Sequence, residues 1–113
     1  MEEVSKQDGA ICRRIGPQAI HEHADSATRQ LKALANVNRL MILCILCEGE
    51  LSVTELNELV DISQSALSQH LAKLRDDQIV TTRRESQTIY YSIAGGVAKD
   101  IIQVLHDFYC VEA

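Results

Sequence analysis

Apolar positions along the chain recur mostly at helical spacing, and one eight-residue run is apolar throughout. This run, Leu40–Cys47, is the longest unbroken apolar stretch. A helix that is apolar on every side is buried on every side. The Met and Leu content of the run, with Asn38 as its candidate N-cap and Gly49 just beyond its end, favours a helix over a strand. We therefore expect a short central helix that the rest of the chain buries.

Amphipathic helices are predicted on both sides of this run, near the two ends of the chain. Pro17 suits the first turn of a helix, and the residues after it repeat at a four–three spacing: Ile20, Ala24, Ala27, Leu31 and Leu34. Such a seam packs along another helix, either in the core of the same chain or in a dimer. Gly95-Gly96 precedes a last helix, whose stripe is Val97, Ile101, Leu105 and Phe108. We expect the helices over 17–35 and 96–110 to form a dimer layer.

The segment between these helices has the pattern of a helix-turn-helix. Ser52 and Glu55 match a capping box, and Ser63 is placed to cap a second helix that runs to about Asp77. Its core-facing side is Leu67, Leu71 and Leu74. Its opposite side is small and polar, with Ser65, Gln69, Ala72, Lys73 and, at the edge, Ser68. This face suits a DNA major groove, although an ordinary solvated surface has the same composition.

Two β-prone runs follow, over residues 79–83 and 88–93. Their Thr, Ile, Val and Tyr residues stand at near-alternating positions, which is typical of a two-stranded ribbon. A hairpin after a helix-turn-helix is a wing, and this one places Arg83 and Arg84 at its tip. Arginines there are suited to contact phosphates or a minor groove.

Composition and charge narrow the range of functions. The chain is 46% hydrophobic and 24% charged, as in an ordinary globular domain, and its few aromatic residues argue against a stacking platform for single-stranded nucleic acid. The net charge is −5, but residues 63–84 sum to +2. This one basic block holds Lys73, Arg75, Arg83 and Arg84. A local basic face matters more for phosphate contact than the total charge does.

The N-terminal residues are polar and acidic, unlike a signal peptide, and no stretch is long enough to span a bilayer. We therefore expect a cytoplasmic protein without membrane contact, with residues 1–16 as a flexible arm and 17–113 as one domain. Permanent disulfides are rare in that compartment. The four cysteines then indicate packing, metal binding or redox switching.

Three segments carry a family resemblance, which extends over about Ala27 to Cys110. Residues 31–40 (LKALANVNRL), 50–56 (ELSVTEL) and 67–74 (LSQHLAKL) resemble the ArsR-type winged-helix repressors of bacteria. The resemblance implies a mainly α winged helix-turn-helix: four helices, a β-hairpin wing and a fifth helix. It also implies a homodimer through the first and last helices, a palindromic double-stranded DNA operator that an inducer releases, and no catalytic residues.

On this fold, the candidates for base reading are Gln64, Ser65, Ser68 and Gln69. His70 and Lys73 flank them, and the wing contributes Arg83, Arg84 and Gln87.

Many relatives sense metals, but this chain departs from their ligand patterns. Ser52 and Thr54 stand where the third-helix pattern places cysteines, and the last helix offers His106, Asp107 and Glu112 without a second His. His21 and His23 diverge around a helix. A metal needs about four ligands, so no metal site and no cofactor is predicted. A metal-responsive repressor and a constitutive winged-helix regulator remain the alternatives.

Two cysteines resemble those of the sulfide- and redox-responsive BigR/SqrR/HlyU branch of this family. Cys44 in the second helix and Cys110 in the last occupy the matching places. The resemblance implies that low-molecular-weight persulfides or other oxidants join the two thiols by a disulfide or polysulfide, which weakens DNA binding. His106, one turn before Cys110, is either a group that promotes the thiolate or a plain surface residue.

The two remaining cysteines are interpreted as structural or incidental. Cys47 forms a formal CxxC with Cys44, but the motif is buried mid-helix, without the preceding strand and helix N-terminus of an oxidoreductase. Packing is therefore the prediction for Cys47, with a competing thiol as the alternative. Cys12 falls in the arm.

Overall fold

The computed structural model describes residues 16–110. In chain order, its elements are α1 (Pro17–Leu34), α2 (Val37–Leu46), β1 (Leu51–Ser52), α3 (Val53–Leu59), α4 (Gln64–Asp76), β2 (Val80–Glu85), β3 (Thr88–Ile93) and α5 (Val97–Cys110). The predicted mainly helical fold with a β-hairpin wing is confirmed. Apart from Gly16, the predicted arm lies outside the described residues, as do Cys12 and Glu112.

Polar side chains fix where helices α2, α3 and α4 begin. Ser52 and Glu55 form the predicted capping box: Ser52 Oγ accepts from Glu55 N at 3.2 Å and Glu55 Oε1 accepts from Ser52 N at 2.9 Å. Ser63 Oγ accepts from Ala66 N at 3.1 Å, as predicted.

The N-cap prediction for the central helix was wrong. The cap is Asn36, whose extended backbone lets Oδ1 accept from the backbone N–H of Arg39 at 3.0 Å. Asn38 already lies in the first turn of α2. The helix therefore starts before the apolar run, at Val37.

The central helix supplies the middle of the hydrophobic core with Ile42, Leu43 and Leu46, which share one face at i, i+1 and i+4 spacing. The surrounding buried residues come from all the other helices and from β2: Ala33, Leu34, Leu56, Val60, Leu67, Leu71, Leu74, Ile79, Val80, Ala98 and Ile102. The expectation that the apolar run is buried on all sides was wrong, because Met41 is 40% exposed. The helix is covered on the core side and open on the side of Met41.

The sheet has three antiparallel strands in the order β1-β3-β2. Strands β2 and β3 pair from Val80 opposite Ile93 to Glu85 opposite Thr88. The loop between them is only Ser86-Gln87, and Ser86 takes the positive φ of 58° that tight hairpin turns require. Arg83 and Arg84 are therefore within β2 and not at the tip, which corrects the predicted placement.

Strand β1 was not predicted, because two residues are too short for a periodic pattern. It pairs with the free edge of β3, with Leu51 opposite Tyr91 and Ser52 opposite Tyr90. The wing is thereby joined to the chain that leaves α2, and it does not stand alone as an unsupported hairpin.

The first helix buries only its C-terminal end in the chain, through Ala33 and Leu34. Ile20 and Leu31 are 44% and 53% exposed, so of the two alternatives for the seam, packing of its whole length in the core of this chain does not hold, and the dimer layer stays a prediction. Helix α5 buries Ala98 and Ile102. It leaves four large apolar side chains exposed: Val97, Val104, Phe108 and Tyr109. The reason is that α1 and α5 each pack on the core along one narrow edge.

Candidate DNA interface and thiol pair

The turn between α3 and α4 is held by a side chain on α3. Asn57 Nδ2 donates to the carbonyl oxygen of Ile62 at 2.9 Å, and Ile62 N donates to Val60 O at 2.9 Å. The predicted leucines Leu67, Leu71 and Leu74 are buried beneath α4. These contacts fix α4 on the core and leave its outer face free for contact.

The outer face of α4 collects most of the predicted base-reading residues. The exposed members are Gln64, Ser65, Ser68, Gln69, Ala72 and Lys73. Lys73 Nζ lies 3.3 Å from Asp77 Oδ2, one turn later, so part of its charge is balanced within the helix. The face offers amide and hydroxyl groups over a small, nearly flat surface, which is the chemistry of base-edge contact.

His70 departs from this group. It is half-buried, and its Nδ1 lies 3.5 Å from Nη1 of Arg39. It is therefore turned toward α2 and away from the exposed face of α4.

Arg39 was not identified from the sequence, although it joins three helices. Its Nε donates to Ala33 O at 2.6 Å and its Nη2 to Lys32 O at 3.4 Å, which satisfies carbonyls at the C-terminal end of α1. Its third contact is His70 on α4. The sequence signal that could have identified Arg39 is its position in the first turn of a helix that directly follows another helix, three residues after the N-cap Asn36.

The C-terminal end of α4 is closed by a Schellman motif. Ile79 N donates to Leu74 O and Gln78 N donates to Arg75 O, both at 2.9 Å, and Gln78 takes φ 61°. The motif turns the chain directly into β2. Helix α4 and the wing are thus set at one angle by backbone hydrogen bonds.

The two wing arginines have different surroundings. Arg83 crosses the ring of Tyr90, with its Cζ 4.7 Å from the ring centroid, and donates to both oxygens of Glu50 and, at 2.9 Å, to Glu85. The hydrogen bonds that Arg83 donates to Glu50 and Glu85 raise the pKa of Arg83 and lower the pKa of Glu50. Arg84 points to the other face of the strand and belongs to no ion pair among residues 16–110. Gln87 is exposed in the turn.

Three cysteines lie where α2 packs against α5, and all are free thiols. Cys44 and Cys47 are half-buried, whereas Cys110, in the last turn of α5, is exposed. Burial raises the pKa of Cys44, and negative charge on Cys110 raises the pKa further. Cys110 is therefore close enough for the charge of its thiolate to act on Cys44.

The environment of Cys47 differs from that of a reactive CxxC. Burial is the main cause that raises its pKa; the charges of Cys44, Asp107 and Glu48 add to the effect, and only Lys99 opposes it. Cys44 and Cys47 lie at the C-terminal end of α2, where the helix dipole disfavours a thiolate. This is the reverse of the helix N-terminus that activates an oxidoreductase thiol.

His106 contacts the chain just beyond α2. Its Nε2 lies 3.2 Å from Glu48 Oε2, and its Nδ1 lies 3.9 Å from Asp107 Oδ1. Because a carboxylate only accepts, Nε2 carries the hydrogen and donates it to Glu48. The ring is thus engaged by Glu48, which leaves the predicted role at Cys110 without a described contact.

Metal and membrane features were also sought in the described part of the chain. Over residues 16–110, no three His, Cys, Asp or Glu side chains lie together as a metal ion would require. None of the five helices is long and apolar enough to cross a bilayer.

Known proteins are similar to this chain in sequence and in fold. Residues 36–82 match the family described as bacterial regulatory protein, arsR family. The chain is 48% identical to the transcriptional activator HlyU of Vibrio cholerae over 93 residues, which cover 82% of this chain and 86% of HlyU. It is 47% identical over 93 residues to the nodulation protein NolR of Rhizobium meliloti, covering 82% and 76% of the two chains.

Solved structures agree with the sequence matches. The structure titled reduced HlyU from Vibrio cholerae has a TM-score of 0.77 at 48% identity, with 82% of this chain and 98% of that one covered. The transcriptional repressor BigR from Xylella fastidiosa has a TM-score of 0.76 at 35% identity, covering 86% and 96%. The descriptions of HlyU and BigR are those of transcriptional regulators, which confirms the prediction of a regulator over an enzyme.

Proposed function

Because the chain belongs to the ArsR family of bacterial regulators, which bind DNA, we propose that it is a repressor controlled by thiol oxidation. Persulfides or other oxidants link Cys44 to Cys110, and the linked protein releases its operator. The proposal rests on one observation: free thiols stand on two helices in contact, one half-buried and one exposed, with Cys110 near enough to raise the pKa of Cys44. Among the similar structures, HlyU is described in a reduced form, which supports redox chemistry in this branch.

The linking reaction needs no reagent other than a persulfide, RSSH. The exposed Cys110 thiolate attacks the terminal sulfur of RSSH, releases RSH and becomes a persulfide. The Cys44 thiol then loses its proton and attacks the Cys110 sulfur, which forms the Cys44–Cys110 disulfide; the departing HS⁻ takes up a proton and leaves as H₂S. A second RSSH before closure inserts one more sulfur atom and releases a second RSH. The outer thiol reacts first because it is accessible, and because the raised pKa of Cys44 keeps that thiol protonated at neutral pH.

A direct disulfide requires Cα atoms within about 7 Å, and inserted sulfur relaxes this limit. Either link ties the last turn of α5 to the last turn of α2. It thereby alters how α5 packs on the core, and α4 packs on the same α2.

The exposed apolar faces of α1 and α5 support a homodimer through these two helices. Ile20 and Leu31 on α1, with Val104, Phe108 and Tyr109 on α5, form an apolar surface that a monomer leaves in water. A two-fold dimer presents two α4 helices to successive half-sites of a palindrome, about 34–36 Å apart. A shift of α5 changes that separation, which is how the thiol link weakens binding.

Operator binding before and after persulfide treatment tests the switch. We expect the reduced wild type to bind its operator and to lose roughly tenfold or more in affinity when treated. Cys44→Ser and Cys110→Ser should each keep their affinity, whereas the control Cys47→Ser should respond like the wild type. Intact mass of the treated proteins reports the number of sulfur atoms in the link.

Other results would favour the alternatives. Loss of DNA in either Cys44→Ser or Cys110→Ser, equal to that of the wild type, would exclude the two-cysteine switch. Release by stoichiometric Zn²⁺ instead of persulfide would indicate a metal-responsive repressor. Indifference to both reagents would indicate a constitutive regulator.

Sedimentation equilibrium tests the dimer layer. Val104→Glu places a charge in the exposed apolar face of α5 and should raise the dimer dissociation constant strongly, because burial of an unpaired charge is costly. Val37→Glu is the matched control, since Val37 is equally apolar and 73% exposed but lies at the start of α2. Equal effects of the two substitutions would argue against this layer.

A further inference from the structure

The three residues 48–50, here named the EGE turn, connect α2 to β1 and contact two distant parts of the chain. Glu48 accepts a hydrogen bond from His106 on α5. Glu50 accepts from Arg83 on the wing. Two neighbouring carboxylates thus bind two elements that belong to different functions, the thiol-bearing helix and the DNA-binding hairpin.

The wing side of this arrangement is tightly built. Arg83 Nη2 lies 2.6 Å from Glu50 Oε1, and Arg83 Nε lies 2.9 and 3.1 Å from the two carboxylate oxygens. A bidentate guanidinium–carboxylate pair fixes direction as well as distance. The strand β1, which starts directly after Glu50, adds backbone pairing to Tyr90 and Tyr91 of β3. A displacement of the EGE turn must therefore move the wing.

The α5 side is a single contact placed close to the proposed switch. His106 Nε2 lies 3.2 Å from Glu48 Oε2, and His106 is one helical turn before Cys110. The histidine side chain is mostly buried, with 22% of its surface exposed, while that of Glu48 is 73% exposed. The last turn of α5 thus holds the EGE turn through His106.

The glycine between the two carboxylates sets their directions. Gly49 has φ 150°, a conformation that L side chains rarely adopt. Glycine adopts this conformation without strain, and in it Glu48 faces α5 while Glu50 faces the wing.

We propose that the EGE turn transmits the state of the last turn of α5 to the wing, through the His106–Glu48 contact on one side and the Glu50–Arg83 pair on the other. This inference rests on the thiol switch proposed above, because linking Cys110 is what moves the last turn of α5. When that turn moves toward Cys44, His106 moves with it, and the wing is displaced from the position in which it contacts DNA beside α4.

Two carboxyl-to-amide variants, each with a matched control, test the proposal. Glu48→Gln and Glu50→Gln weaken the two contacts that cross between elements. Asp107→Asn and Glu85→Gln are the controls, because these carboxylates contact the same His106 and Arg83 but lie within α5 and β2 themselves. For each protein, the operator affinity after persulfide treatment is divided by that before treatment, which cancels the effect of the lost charge on DNA binding.

We expect the treated wild type and both controls to lose affinity by the same factor, roughly tenfold. Glu48→Gln and Glu50→Gln should lose only a few-fold of their operator affinity on treatment. The double variant should lose affinity by about the same factor as either single variant, because both substitutions interrupt one chain of contacts. Hydrogen exchange of the β2 and β3 amides should change on treatment in the wild type and stay constant in Glu48→Gln.

The extent of the Cys44–Cys110 link is measured by mass in the same samples, which separates the two proposals. If the link forms fully in Glu48→Gln and the affinity still falls as in the wild type, the transmission through the EGE turn is overturned. If the wild type forms no link, the thiol switch fails instead. The proposed transmission through the EGE turn then fails as well, because no link moves the last turn of α5.

Discussion

Arg83 on β2 and Glu50 before β1 are joined by three hydrogen bonds of 2.6 to 3.1 Å, although 33 positions separate them in the sequence. The pair spans the full width of the sheet, since Tyr90 of β3 lies beneath the guanidinium. A basic residue that the sequence assigns to DNA is thus already bound by two carboxylates of its own chain.

The two wing arginines should therefore respond differently to substitution. Arg84→Ala should weaken binding to operator and random DNA alike and reduce the salt slope of log K by about 1, as expected for one lost phosphate contact. Arg83→Ala should leave this slope nearly unchanged, because its charge is compensated by Glu50 and Glu85. Titrations at several salt concentrations measure both slopes. A slope that falls equally for both variants would show that Arg83 exchanges its carboxylates for phosphate.

Gln69 lies on the exposed face of α4 and is expected to read a base edge. Gln69→Ala should cost about 1–3 kcal/mol of operator binding and leave binding to random DNA unchanged. Competition between operator and random DNA for each protein measures the ratio of the two affinities directly. Equal losses on both DNAs would assign Gln69 to the solvated surface or to phosphate.

Gln78 ends α4 with a positive φ of 61° that a glycine adopts without strain. Gln78→Gly should therefore stabilise the fold, by about 0.5–1 kcal/mol after the greater flexibility of glycine in the unfolded chain is allowed for. Urea unfolding measures the change. The control Gln78→Ala keeps the Cβ and should show no such gain.

The thiols of Cys44 and Cys110 should differ in their rates of alkylation. At neutral pH, iodoacetamide should modify the exposed Cys110 first, because burial raises the pKa of Cys44 and leaves little thiolate there. As pH rises through the raised pKa, the Cys44 thiolate forms and its rate should increase toward that of Cys110. Peptide mass spectrometry over a pH series follows each site. Equal rates at neutral pH would contradict this order.

The same shifts predict a loss of stability in alkaline solution. Folding raises the pKa of Cys44 and Cys47, so the folded state favours their protonated forms. This preference stabilises the folded state fully at pH values below the pKa of the unfolded thiols. The stabilisation is lost as pH rises through the raised pKa values of the folded state. The unfolding free energy of the wild type should fall more steeply above about pH 8.5 than that of a variant with serine at both positions. Parallel curves would show that these thiols do not couple to folding.

Local chemistry was readable in the sequence where a feature depends on a few adjacent residues. Ser52, Glu55 and Ser63 cap their helices as predicted, and the helical spacing of Leu67, Leu71 and Leu74 placed them in the core. The order of helices and hairpin followed from these local signals, together with the family resemblance.

Features that depend on distant partners were not readable in this way. No residue near Arg83 in the sequence indicates that Glu50 binds it. The two side chains meet only in the folded sheet, where β1 and β2 lie on opposite edges of β3. The spacing of the α1 seam is the same for a core face and for a surface between chains, so the sequence alone did not decide that Leu31 is exposed. Asn38 was predicted as the N-cap, but the cap is Asn36, the same residue type two positions earlier, where the backbone is extended.

The pairing of Leu51 with Tyr91 has a consequence for how the protein folds. It closes a loop that contains α3, α4 and the hairpin turn, so all the residues predicted to contact DNA lie between two paired residues. Contacts so far apart in sequence form slowly, because the entropy of loop closure must be overcome first. We therefore expect the two ends of this loop to join late in folding, and α4 to acquire its final orientation only when they do.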